Sequence, residues 1–166
     1  MMALQTFPYT IISTDQHFEV RRMKDYFVVK ANVEESRGYV GFDACFRYIS
    51  GENEASQRFA MTTPVLNKME GVKMKDTPFV LLNQDHFPQP QGNATIEKVN
   101  SSLMVIIKFS GSVSDQLLSK KQAQLRAYIE SNGYTIKDGP WLARYNPPFI
   151  PGFLKRNELM MEVYDD

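Results

Sequence analysis

Sulfur and imidazole chemistry are scarce in this chain of 166 residues, which carries one cysteine, Cys45, and two histidines, His17 and His86. A lone thiol permits no internal disulfide and no multi-cysteine metal site, so a reducing compartment is the simplest setting and a small buried apolar role is expected of Cys45. The metal spacings His-x-x-x-His and Cys-x-x-Cys are missing, as are Gly-x-Ser-x-Gly and a phosphate-cradling glycine loop. No catalytic residue is therefore nominated, and the chain is read as a non-enzyme. Charge of one sign is not in excess either: 19 Lys and Arg balance 19 Asp and Glu. No global field favours nucleic acid or an anionic membrane. No window approaches the roughly 20 apolar residues of a membrane span. The first thirteen positions lack the basic flank and apolar core of a signal peptide, being interrupted by Gln5, Thr6 and Pro8. These absences predict a cytoplasmic protein.

What is present is large and apolar. Hydrophobic residues make up 43% and aromatics 12% of the chain, enough to exclude disorder and to line a cleft with rings. The length suits one domain, 1–166, able to bury a core without crosslinks. Phe18 to Val33 reads as two strand segments joined at Met23 to Asp25, with Phe18, Val20 and Arg22 on one face and Glu19 and Arg21 on the other. From Tyr39 the period becomes helical, through Phe42, Cys45, Phe46 and Ile49 to a stop at Gly51. Arg58 to Met69 reads as a strand, with Phe59, Met61, Thr63 and Val65 on one face and Thr62 and Leu66 on the other. Glu70 to Pro78 reads as a turn region and Phe79 to Leu82 as a short strand.

The same order then recurs. Ala94 to Val99 and Leu103 to Phe109 form a predicted hairpin whose second strand is apolar enough to be buried on both faces. Ser112 or Ser114 caps a helix with Asp115 at its positive end, an apolar stripe of Leu118, Leu125, Tyr128 and Ile129, and a stop at Asn132-Gly133. Tyr134 to Asn146 and Glu158 to Tyr164 are strands around the loop Pro147 to Asn157. Glu19 falls opposite Glu97, Val28-Val29-Lys30 opposite Ile106-Ile107-Lys108, and Pro64 opposite Pro147. This order, hairpin, helix, strand, strand, predicts two pseudo-repeated halves, about 17–83 and 94–165, each with one main helix packed on a curved antiparallel sheet.

Phe18-Glu19-Val20-Arg21-Arg22, Tyr48-Ile49-Ser50-Gly51-Glu52-Asn53, Met61-Thr62-Thr63-Pro64-Val65, Tyr145-Asn146-Pro147-Pro148 and Lys155-Arg156-Asn157-Glu158 together resemble the SOUL haem-binding protein family, in family order and over nearly the whole chain. The resemblance implies an α+β fold, a distorted antiparallel β-barrel of two halves similar to bacterial effector-binding domains. It also implies a tetrapyrrole bound in a shallow cleft between the first helix and the last inter-strand loop. Carried onto this sequence, the cofactor-binding set is Tyr39, Phe42, Phe46, Arg47, Phe149, Ile150, Phe153 and Lys155. Arg47 would meet one propionate, and Lys155 or Arg156 the second. Where some family members have an axial histidine this chain has Arg22, which does not ligate haem iron. Haem is thus a possible cofactor without an evident axial ligand: His17, His86, Tyr39 and Met61 are each better read as surface or packing residues. The reading is a non-catalytic tetrapyrrole carrier or buffer. The alternative is an effector-binding or sensor module for another hydrophobic small molecule, acting through a partner protein.

Overall fold

A computed structural model of the chain describes residues 8–31, 42–59, 64–82, 84, 86–146 and 150–165. Its described strands are β1 (Tyr9–Asp15), β2 (Phe18–Met23), β3 (Tyr26–Ala31), β4 (Val65–Glu70), β5 (Lys73–Asp76), β6 (Phe79–Leu81), β7 (Ala94–Val99), β8 (Ser102–Ser110), β9 (Ile136–Arg144) and β10 (Arg156–Val163). The helices are α1 (Phe42–Ile49) and α2 (Asp115–Ser131), with a short 3-10 turn at Gly152–Leu154. The strands form two open antiparallel sheets rather than a closed barrel: seven strands in the order β1-β2-β8-β10-β9-β4-β5 and three in the order β6-β3-β7. The α+β class holds and the barrel is corrected.

Side-chain alternation stacks these elements into four layers. Leu103, Val105, Ile107 and Phe109 of β8 pack on Leu118, Leu125 and Ile129 of α2. Met104 and Ile106, pointing the other way, meet Val28 and Val80 of the smaller sheet. That sheet turns Val29, Phe79 and Leu81 outward onto Cys45, Tyr48 and Ile49 of α1. The layer order is α2, large sheet, small sheet, α1. Strand β8 is therefore covered on both sides, as its unbroken apolar run predicts; every residue from Leu103 to Ile107 is buried.

Both expected hairpins are corrected by this layering. Strands β2 and β3 are consecutive, but β2 pairs with β1 and β8 while β3 pairs with β6 and β7. Likewise β7 and β8 lie in different sheets. Each pair is a corner at which the chain changes layer, and the two corners pair with each other strand for strand. Sequence alternation gives the faces of a strand but not its neighbours.

Other local expectations fare variously. Helix α2 starts at Ser114, whose hydroxyl accepts the Leu117 N–H, and ends at Asn132 before Gly133 at φ 78°. Tyr128 is stacked on Phe18 at 4.0 Å. The turn expected over Glu70 to Pro78 contains a hairpin, β4 to β5, about Gly71 at φ 62°. Strand β4 begins only at Val65, after Pro64, and Phe59 instead stacks on Tyr48 at 5.6 Å; Met61, Thr62 and Thr63 lie outside the described residues. Strand β1, edge of the large sheet, was not expected.

Candidate functional site

Helix α1 is fixed by its buried side. The Cys45 thiol donates to the Val29 carbonyl at 3.2 Å, and the Tyr48 hydroxyl donates to the Pro88 carbonyl at 2.6 Å. Burial and the Glu54 carboxylate push the Tyr48 hydroxyl up to about 12, so it stays a proton donor at neutral pH. After Gly51, at φ 115°, the chain wraps around the buried Asn53. The Asn53 amide donates to the carbonyls of Tyr48 and Gln57 and accepts the N–H groups of Ala55 and Gln57. This anchoring turns Phe46 and Arg47 outward: Phe46 is 49% exposed and Arg47 is exposed, its charge favourable in the last helical turn. The apolar stripe expected to include Phe46 runs instead through Cys45, Tyr48 and Ile49.

The segment joining β9 to β10 is also held in place. The Arg156 N–H donates to the Asn146 side chain at 2.6 Å, and the 3-10 turn closes through Leu154 N–H to Pro151 and Lys155 N–H to Gly152. Gly152 lies so close to Ser112 that a Cβ would stand 2.7 Å from its hydroxyl oxygen. A larger residue there would push the turn away. On this fixed turn Phe153 is 77% and Leu154 60% exposed, while Ile150 and Lys155 are half-buried. Two adjacent large apolar side chains thus face water on this turn.

Of the expected binding residues, the structure therefore presents Phe46 and Arg47 on α1, in the outer layer, and Ile150, Phe153 and Lys155 on the turn beside β8. Different layers hold the two groups. Tyr39 and Phe149 lie outside the described residues, as does the side chain of Phe42. Arg156 is committed elsewhere: its guanidinium donates to Glu158 at 3.0 Å and sits over the Tyr145 ring at 4.1 Å.

The iron question turns on the same accounting. His17 is exposed in the β1–β2 turn and His86 is exposed in a loop. Arg22 faces the α2 side of the large sheet and is paired with Asp165 through two hydrogen bonds of 2.5 and 3.0 Å. Among the described residues no three His, Cys, Asp or Glu side chains group as a metal site. Ile150, Phe153 and Leu154 are apolar and Arg47 and Lys155 cationic, the side-chain types that suit the ring and the carboxylates of a tetrapyrrole.

Sequence reasoning missed a buried ionic cluster on the large sheet, on the face turned away from α2. Arg21, fully buried, donates from Nη1 and Nη2 to Glu158 at 2.8 and 2.7 Å and from Nε to Glu19 at 2.9 Å. Tyr145 donates to Glu158 at 2.6 Å, Arg156 adds a fourth hydrogen bond, and Lys108 pairs with the second oxygen of Glu19. Burial pushes Glu158 up, yet the bonds and charge of Arg21, with those of Tyr145 and Arg156, outweigh it and hold the carboxyl below the ordinary value of 4.5. Burial and the same carboxylate raise the Tyr145 hydroxyl far beyond its usual range. Every carboxylate oxygen is engaged, so the cluster ties β2 to β10 across β8 within the large sheet rather than offering a free general base. Its signal was a pair of opposite charges, Glu19 and Arg21, on one strand face.

The fold is shared with solved structures of low sequence identity. The C-terminal domain of EcmrR aligns with a TM-score of 0.62 at 12% identity, over 95% of this chain and 99% of that one. EcmrR in a complex with DNA aligns at 0.63 and 12%, over 90% of this chain and 57% of that one. A hydrolase from Listeria innocua aligns at 0.61 and 10%, over 92% and 94%. At such identities the likeness is one of fold. No curated protein sequence matches the chain. A family model described as SOUL heme-binding protein does, over residues 4–162. With the motifs in order and the match spanning nearly the whole sequence, the chain belongs to the SOUL heme-binding protein family.

Proposed function

We propose that this protein binds a tetrapyrrole without catalysing its conversion, acting as a carrier or buffer. The observation that supports this most is the exposure of Phe153 and Leu154, 77% and 60%, on a turn that backbone bonds and the Gly152–Ser112 contact hold rigid. The macrocycle covers Phe153, Leu154 and Ile150 and Lys155 meets a propionate, while Phe46 and Arg47 are kept from the family resemblance as the α1 side of the cleft. Covering each large side chain contributes roughly 1 to 2 kcal/mol, since full burial is worth about 1.5–3. A few such contacts plus exposed ion pairs give weak, reversible binding, suited to release as well as capture. Haem, when bound, supplies its iron chemistry to whatever receives it; this chain's own residues only hold and shield the ring.

Titration with hemin and with metal-free protoporphyrin, read by the Soret band and by quenching of Trp141 and tyrosine emission, tests the reading. Both ligands should bind with affinities within a few-fold of each other. Absence of any Soret change or quenching at micromolar ligand would refute it, and unchanged binding in both Arg47→Glu and Phe153→Asp would refute the site. A second reading, a sensor for another hydrophobic molecule acting through a partner protein, draws support from the fold likeness to the EcmrR C-terminal domain. It predicts that porphyrins fail while other apolar ligands succeed.

A further inference from the structure

On the α2 side of the large sheet, away from α1, lies an open cavity of about 400 Å³. Its lining is mostly polar, with Asn132 and Thr135 on it; Val20 and Leu103 lie buried at its floor, and its apolar surface comes from the exposed side chains of Ile12 and Tyr164 with Tyr134. Arg22 and Asp165 also line it and carry opposite charges. The Arg22 guanidinium already grips a carboxylate there, with Nη1 donating to one Asp165 oxygen at 2.5 Å and Nη2 to the other at 3.0 Å. This is the two-pronged geometry by which arginine recognises carboxylates.

The two partners are held unequally. Arg22 is within β2, laddered on both sides to β1 and β8. Asp165 lies past the end of β10, in a tail whose Tyr164 N–H is bonded to the Thr135 carbonyl, and its side chain is 57% exposed against 35% for Arg22. An exposed pair of this kind is weak, and the aspartate is the partner that can swing away without disturbing a strand. We propose that this cavity is a second binding site, for a small organic carboxylate carrying a ring or short chain, and that Asp165 is an internal carboxylate which the ligand displaces from Arg22. The ligand's carboxylate takes the guanidinium and its apolar part lies on Ile12, Tyr134 and Tyr164. The site is separate from the proposed tetrapyrrole surface and does not depend on it.

Three probes of nearly equal shape test this: 3-phenylpropionate, 3-phenyl-1-propanol and 3-phenylpropylamine, titrated into the full chain by calorimetry and by amide chemical shifts. The carboxylate should bind tightest and shift the signals of Arg22, Tyr134 and Thr135. Asp165→Asn should strengthen 3-phenylpropionate about two- to fivefold, the scale of an exposed ion pair, and Arg22→Gln should weaken it to the level of the alcohol. Because Arg22 is partly exposed, circular dichroism should show the wild-type fold in that variant. Equal affinities for the three probes, no binding of any, no gain in Asp165→Asn, or shifts confined to α1 and the 150–155 turn would each overturn the proposal.

Discussion

Replacing Glu158 by glutamine changes one atom of a side chain that accepts four hydrogen bonds, from Arg21 twice, Tyr145 and Arg156, at 2.6–3.0 Å. The new amide NH2 necessarily faces donors, and the fully buried Arg21 keeps only Glu19 as a carboxylate partner. Both members of the principal pair are shielded from solvent, so screening does not dilute the effect. Breaking a buried pair on one side costs about 3–5 kcal/mol, a large share of the roughly 5–15 kcal/mol that holds a domain together. At about 2–4 °C per kcal/mol for a chain of this size, Tm should fall by about 6–20 °C at neutral pH. Thermal unfolding followed by far-ultraviolet circular dichroism and Trp141 emission measures it. The pH dependence checks the sign. Because Glu158 is held below its ordinary value of 4.5 in the folded protein, its stabilisation is complete above that value and is lost as pH falls through the lower, folded one. The gap between wild type and Glu158→Gln should therefore narrow on acidification. A Tm loss under about 3 °C at neutral pH, or a gap that does not narrow, would refute the view of the cluster as a tie between β2 and β10.

Leu125→Ala, which empties a fully buried site between α2 and β8, should cost about 2–5 kcal/mol in chemical denaturation. Ser114→Ala removes the acceptor for the Leu117 N–H and should cost about 1 kcal/mol, with hydrogen exchange quickening in the first turn of α2. Phe153→Asp should leave Tm nearly unchanged, its side chain being mostly in water, while weakening protoporphyrin at least tenfold by fluorescence titration, about 1.4 kcal/mol.

Much of the fold was legible because local chemistry wrote it. The cap, stripe and stop of α2 occur where Ser114, Leu118, Leu125, Ile129 and Asn132-Gly133 place them. The stretches that carry the family resemblance prove to be largely structural. Arg21, Tyr145, Arg156 and Glu158 meet in the buried ionic cluster, and Tyr48 and Asn53 anchor α1 and the loop after it. Their clustering in space, from opposite ends of the chain, was not legible, because a charged residue on a strand face reads as solvated until a second sheet covers it. Of the candidate site, what was legible is composition: large apolar residues after Pro147 stood out against a loop's usual make-up, and of these Phe153 and Leu154 are exposed.

Residue order alone thus determined the α+β class, the positions of most strands and both helices, and through its motifs the family, since periodicity, capping and turn chemistry act over a few neighbouring residues. Only the tertiary structure decided that consecutive strands β2 and β3, and β7 and β8, part into different sheets, that the sheets stay open, and that Glu19, Arg21 and Glu158 face inward. Those outcomes depend on which distant strands pair, and pairing is settled by the joint burial of both faces rather than by any one segment.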